Sequence, residues 1–447
     1  MDISQQLKKR YAAGFDRGIV PPSPVKLHLI HDHLPSFEVA GTFYVGPDAR
    51  AWVWFEQVLP AWLQFFSQVP PGGFRVQGIF DDGRMLLIEK AYMTYHDFNI
   101  DQCFSGFSNE GTIHRRGPIR MCFTALAHSS AIVRGEQKMT SDTLQIKYTL
   151  INAIFWGTEM ISIEGTTKTY RGRFTVSFGQ RVWDFVRFSG FTKELEMDLK
   201  NGLVDIIPTA TAGVSVVNAH EVNMADKEID ALCRLISLVS DAATTWVVRQ
   251  LWSGNTLVEE LFASRSVTTD AANKSRYDII SNICPADGLK LFLESSIKSF
   301  LTLEDSLRLH EVVDYLEQAR HQKVLQVQIA IVVLGLELLS HAWCLRDGLS
   351  EQQLSSMNIE RKLGRMRRSF RFIEKGFTND ILRRDIRNPL IHSGQIPLLS
   401  QSQLTSWVDD LYLLTLRLLF CLLGYKGKYR DFSNGFSMTD APTIETF

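Results

Sequence analysis

Arg387-Asn388-Pro389-Leu390-Ile391-His392-Ser393-Gly394 puts a permanent cation and an imidazole in one short segment, with four residues between them. A guanidinium can hold a phosphate through two parallel N–H bonds. A histidine titrating near neutrality can take or give the proton of an attacking hydroxyl. Together they supply what metal-free cleavage of a phosphodiester needs. The plainer alternative is an arginine that caps carbonyls at a helix end, followed by a packed histidine.

The sequence leading into this segment is basic. Arg361, Lys362, Arg365, Arg367, Arg368, Arg371, Lys375, Arg383 and Arg384 precede Arg387, and only Glu374, Asp380 and Asp385 oppose them. That excess suits an RNA backbone, and Arg365, Arg367, Arg368, Arg371, Arg383 and Arg384 are the expected RNA contacts. A solvated helix face would have a similar composition. Elsewhere His31 and His33 share one face of a strand, a possible metal pair without an identifiable third ligand. GxxxxGK[ST], GxGxxG and a serine nucleophile elbow are absent. No metal site and no cofactor are expected.

The elements that must position these residues fall into two kinds. From about Val25 to Val217 the apolar pattern has period two, as in Phe37, Val39, Phe43 and Val45. Turn residues such as Asp81-Asp82-Gly83 and Ser189-Gly190 separate the runs, which predicts an antiparallel sandwich or barrel. Trp52–Phe66 reads as a short helix instead. After Asn218 the spacing becomes helical, with Asp226 the expected N-cap. Thr302-Leu303-Glu304-Asp305 and Ser350-Glu351-Gln352-Gln353 read as capping boxes that open helices. Leu404, Val408, Leu411, Leu414 and Leu418 form one face of a last long helix. Strands first and helices afterwards predict an α+β multidomain chain. The expected divisions are a β-rich regulatory domain over 1–220, a helical connection over 221–300, a helical bundle over 301–430 and a flexible tail over 431–447.

Composition limits the function classes. The chain has 447 residues, 45% hydrophobic and 22% charged, with net charge −1. These values describe a globular protein that does not coat nucleic acid with its whole surface. Six scattered cysteines form no CxxC pair and fit a reducing, cytoplasmic setting. The polar N-terminus reads as no signal peptide. Val324–Leu339 and Val408–Leu423 are interrupted by Glu337 and by Asp409, Asp410 and Arg417, so both read as buried bundle helices.

Three features recur in the order found in HEPN domains. They are an Ile/Leu-rich helix ending in Leu336-Glu337-Leu338-Leu339, the Arg387-Asn388-x-x-x-His392 turn, and a Leu-rich helix closing on Gly424-Tyr425-Lys426-Gly427-Lys428-Tyr429. Over 303–429 the chain resembles the HEPN superfamily, and its layout resembles the ApeA-like proteins of bacterial abortive defence against phage. The resemblance implies a metal-independent ribonuclease, active as a homodimer through the helical domain. It implies His392 as general acid or base, Arg387 on the phosphate and Asn388 orienting one or the other. Glu337 is a weaker candidate that pairs with Arg387 or polarises the histidine. It further implies a phage-derived trigger acting on the N-terminal domain. Two other readings stay open. One is a non-catalytic module that binds nucleotide or RNA, or only dimerises. The other is a glycan- or ligand-binding β-domain fused to a helical oligomerisation domain. Pro389, a helix breaker, predicts Arg387 at a helix end and His392 just beyond it.

Overall fold

The fold is described from a computed structural model, which covers residues 20–31, 34–45, 50–58, 73–98, 104–107, 113–115, 120–127, 130–135, 143–153, 155, 158–163, 166–188, 208–240, 243–263, 279–280, 288–370, 382–394, 396, 400–431 and 437–441. The first strands are β1 (Val20–His31), β2 (Leu34–Val45), β3 (Ala51–Val58), β4 (Phe74–Phe80) and β5 (Met85–Phe98). A short hairpin, β6 (Phe104–Phe107) with β7 (Ile113–Arg115), precedes β8 (Arg120–Ala127) and β9 (Ser130–Arg134). Ala91 of β5 pairs with Phe74 of β4 and also with Ala127 of β8. Those two strands therefore occupy opposite edges of β5. The remaining pairings, β4 with β1, β1 with β2, β2 with β3 and β3 with β8, close a six-stranded antiparallel barrel. Period-two alternation fills it, with Leu27, Leu29, Phe43, Val53, Phe55 and Val76 all inside. The helix expected from Trp52 is strand over Ala51–Val58, because every second residue there enters the barrel. Its remainder, 59–66, lies outside the described residues.

Beyond the barrel, β9 also pairs with a strand late in the sequence and begins a second sheet. Its members are β10 (Leu144–Ile151), β13 (Arg173–Phe178), β14 (Arg181–Arg187), β15 (Pro208–Val216), β16 (Thr245–Ser253) and β17 (Thr256–Ala263). The order is β9-β17-β16-β10-β15-β14-β13, and a separate hairpin joins β11 (Thr158–Ile163) to β12 (Thr166–Arg171). Helix α1 (Ala219–Val239) covers the inner face of this sheet. Asp226, Glu228 and Asp230 of α1 accept from Tyr148, Trp183 and Trp246 at 2.6, 3.0 and 2.7 Å. Asp226 is thus inside α1 and not its cap. Asn218 fills that role, accepting from the Glu221 amide at 3.1 Å.

Two of the expected divisions need correction. The 221–300 region contains the β16–β17 hairpin between helices, and that hairpin completes the second sheet. One apolar core runs from this sheet through α1 into the C-terminal helices, while the barrel has its own. The tail is also partly structured: β18 (Lys428–Asp431) pairs with β19 (Ser437–Asp440), and Tyr429 is buried. Arg417 donates to the Tyr429 hydroxyl at 2.6 Å and to Asp431 at 2.8 Å, which holds the hairpin down.

The helical part consists of α2 (Leu289–Leu307), α3 (Leu309–His321), α4 (Leu325–Arg346), α5 (Glu351–Ser355), α6 (Ile359–Ser369), a π-helical turn (Leu382–Arg387), α7 (Asn388–Ser393) and α8 (Gln401–Leu423). Helix α4 is central and packs on α2, α3, α6 and α8. Among the described residues it is the one helix long and apolar enough to cross a membrane, and 56% of its most apolar stretch is buried inside the protein. The Ser350 capping box is present as expected, and Ser400 with Gln403 forms another. Thr302 opens no helix: it lies within α2 and bonds back to the Lys298 carbonyl at 2.8 Å. The break between α2 and α3 comes six residues later, where Arg308 adopts a left-handed conformation with φ 52°.

Glu317 of α3 yields a pH prediction. Burial pushes its carboxyl from 4.5 up to about 7, and Ser237 and Arg320 beside it pull the other way without cancelling the effect. The folded chain therefore holds this proton more tightly than the unfolded chain. The stabilisation is complete below about pH 4.5 and disappears as the pH rises through about 7. Glu317→Gln should raise Tm over the parent at pH 8 and leave it near the parent at pH 5. An equal Tm difference at both pH values would show that Glu317 does not titrate in this window.

Candidate nucleic-acid site

Arg387, Asn388 and His392 reach the surface from the π-turn and α7, and both elements are anchored by buried neighbours. Leu382 and Ile386 of the turn are buried in the bundle core. The wide turn gives Pro389 room, since in a regular α-turn its ring would strike the carbonyl four residues earlier. The helix therefore continues through the proline. Arg387 ends the π-turn, and His392 lies in the last turn of α7 rather than beyond it. Gly394, at φ 70°, closes α7 with its amide on the Leu390 carbonyl at 3.1 Å.

Arg387 Nε donates to Glu337 Oε1 of α4 at 2.8 Å, with the two side chains 32% and 27% exposed. The pair lies in a groove of about 370 Å³ walled by Val327, Ala330, Leu334 and Leu390. Asn388 is half-buried and His392 is exposed. Among the described residues, no hydrogen bond orients the His392 ring. At 100° per residue, five positions along an α-helix turn the direction by about 140°. Arg387 thus addresses α4 while His392 faces away from it. The motif residues share one helix but do not converge on one point within a single chain.

The basic residues are more neutralised than their sequence suggests. Arg365 pairs with Asp347 at 2.5 Å, Arg383 with Glu360 at 3.0 Å and Arg384 with Asp385 at 3.0 Å. Asp347 lies before the basic segment and Glu360 directly adjoins it, and the fold brings them against Arg365 and Arg383. Arg368 donates to the Gly364 carbonyl at 3.2 Å, Arg367 is half-buried, and Arg371 lies outside the described residues. Pairs as exposed as these are worth about 0–1 kcal/mol each, so a polyphosphate can compete for the arginines. Sequence reasoning missed Asp347 and Glu360 as partners and Val327 and Leu334 as groove walls. The available signal was an α4 apolar on every side, more than one buried face requires.

Other chemistry finds less support. Among the described residues no group of three or more His, Cys, Asp or Glu could hold a metal ion. His31 is half-buried on β1, while His33 lies outside the described residues. Cys233, Cys344 and Cys421 are buried, and burial pushes the Cys421 thiol up to about 11, away from thiolate chemistry. Comparison with known proteins finds no family model, no characterised protein and no solved structure that matches the chain.

Proposed function

We propose that the chain is a metal-independent endoribonuclease of HEPN type, with an ApeA-like role in cytoplasmic anti-phage abortive infection. The observation that carries this reading is Arg387, held in an apolar groove by Glu337, with His392 exposed on the short helix that follows it. Because the two residues point apart, the working site needs two copies. His392 of one copy would meet the phosphate held by Arg387 of the other across a two-fold axis. Val327 and Leu334, 41% and 49% exposed on α4 beside the groove, offer apolar surface for that contact. His392 takes the proton of the 2′-hydroxyl, whose oxygen attacks phosphorus. The bond to the 5′ oxygen breaks, and that oxygen takes a proton from water, leaving a 2′,3′-cyclic phosphate and a 5′-hydroxyl. Arg387 stabilises the charge gathered on the phosphate, and Asn388 orients it. The core shared by the second sheet and the bundle gives the β-rich part a physical route to regulate the site.

Purified protein should cleave RNA in excess EDTA and leave 2′,3′-cyclic ends. Loss of cleavage in EDTA with recovery on magnesium or manganese would overturn the Arg–His mechanism. The His392 ring, which no hydrogen bond orients among the described residues, favours a second reading, a non-catalytic RNA-binding dimer. RNA binding without cleavage under any condition would select it.

A further inference from the structure

The outer face of the second sheet has an open depression of about 610 Å³, and Gly213 in the middle of β15 is its floor. A glycine inside a strand ordinarily answers to a positive φ, a bulge or a crowding neighbour. None of these applies here. Gly213 is not among the positive-φ glycines, and its pairings with Lys147 and Asp184 are in regular register. A Cβ there would meet nothing nearer than the Ile146 carbonyl oxygen at 3.8 Å. Gly41 and Gly78 of the barrel differ, since their Cβ atoms would lie 2.3 Å from Leu27 and 2.7 Å from Val25. A side chain at 213 would cost the chain only the depression.

The surroundings indicate what fits. Asp184, Gly213 and Lys147 form one row across β14, β15 and β10. The outer two strands are about 10 Å apart, wide enough for a six-membered ring. Trp252, half-buried on β16, and Val182, 54% exposed on β14, stand at the two ends of the adjacent row, with Gln145 and Ser215 between them. Gln145, Ser215 and Asn255 line the rim with donors and acceptors. Arg173 fixes the Asp184 carboxylate through two bonds of 2.8 and 2.9 Å. Lys147 and Arg173 against one aspartate fall short of the cation cluster a phosphate calls for. One aromatic face beside mixed donors and acceptors suits the C–H face and hydroxyls of a sugar ring. We propose that this depression binds a neutral saccharide, with Trp252 as platform and Gly213 as floor. The proposal is independent of the ribonuclease reading.

The test titrates the full chain with glucose, galactose, mannose, N-acetylglucosamine and their short oligomers, following the Trp252 indole N–H resonance assigned with Trp252→Phe. At least one saccharide should shift that resonance. Gly213→Val and Trp252→Ala should each weaken its binding tenfold or more. The valine suits a strand, so Gly213→Val should keep or raise Tm, which separates a filled floor from a damaged fold. The proposal is overturned if no saccharide moves the resonance or if Gly213→Val binds as tightly as the parent. It is equally overturned if adenosine monophosphate occupies the depression and the sugars do not.

Discussion

Alanine at His392 should lower RNA cleavage by about 10²–10⁴-fold, the usual contribution of a general acid or base, and leave RNA affinity near that of the parent. The side chain is exposed at the end of α7 and, among the described residues, bonds to no other element, so Tm should not move. Alanine at Arg387 should lower the rate by about 10²–10³-fold, through loss of charge stabilisation on the phosphate. It should also weaken binding about tenfold or more, since a charge-assisted bond is worth about 1.5–3 kcal/mol. The salt dependence of binding should become shallower by about one contact. Glu337 sets a further condition, because it engages Arg387 Nε at 2.8 Å. Arg387→Ala strands that carboxylate beside the phosphate, so part of the affinity loss is repulsion. Adding Glu337→Gln to Arg387→Ala should recover that part and none of the rate. Arg387→Lys should not restore cleavage, because a point charge cannot reproduce a planar two-bond grip. If His392→Ala cleaves RNA at the parental rate, or unfolds the protein, His392 is a packing residue and the proposed mechanism falls.

Much of the framework was legible because its signals are local. Helix α8 shows Leu404, Val408, Leu411, Leu414 and Leu418 at helical spacing, and all five are buried. The Ser350 box needs only residues three apart, and it forms. Thr302 failed by the same rule. A threonine inside a helix can bond back to the previous turn and still leave a Thr-x-Glu-Asp string on the surface. Arg308 leaves no trace in the sequence, since a left-handed arginine is imposed by the packing of α2 against α3. The β16–β17 hairpin was lost because α1 interrupts the sheet in sequence but not in space. The site divides the same way. The string from Arg387 to His392 is contiguous, so its chemistry can be read directly. Glu337 is fifty residues away from Arg387 in sequence, and its pairing with Arg387, one of the two alternatives expected for it from the resemblance, is made by the tertiary fold. The divergence of Arg387 and His392 depends on where Pro389 lets the helix run, and composition alone does not reveal it.

Arg320→Met should destabilise the protein by about 3 kcal/mol or more, since several buried carbonyls lose a charged donor at about 1.5–3 kcal/mol each. Helix α1 ends at Val239 with carbonyls that have no partner inside the helix. Arg320, 9% exposed on α3, donates to the Ser237 carbonyl at 2.9 Å, to Leu238 at 2.5 Å and to Ser240. Its guanidinium also lies 5.0 Å from the centre of the Tyr412 ring on α8 and contacts that hydroxyl. One side chain thus joins the helix that covers the second sheet to two helices of the bundle. Methionine keeps most of the volume and leaves several carbonyls buried without donors. Lysine should recover only part of the loss, because one ammonium cannot face three carbonyls and a ring together. The core is continuous from Trp183 and Trp246 of the sheet to Phe420 of the bundle. Tryptophan fluorescence from the sheet and helical circular dichroism should therefore fall at the same denaturant concentration in both parent and mutant. Two separated transitions in the parent would mean that sheet and bundle are held together far more weakly than Arg320 and the shared core require. A methionine mutant within about 1 kcal/mol of the parent would mean that water replaces the guanidinium at those carbonyls at little cost.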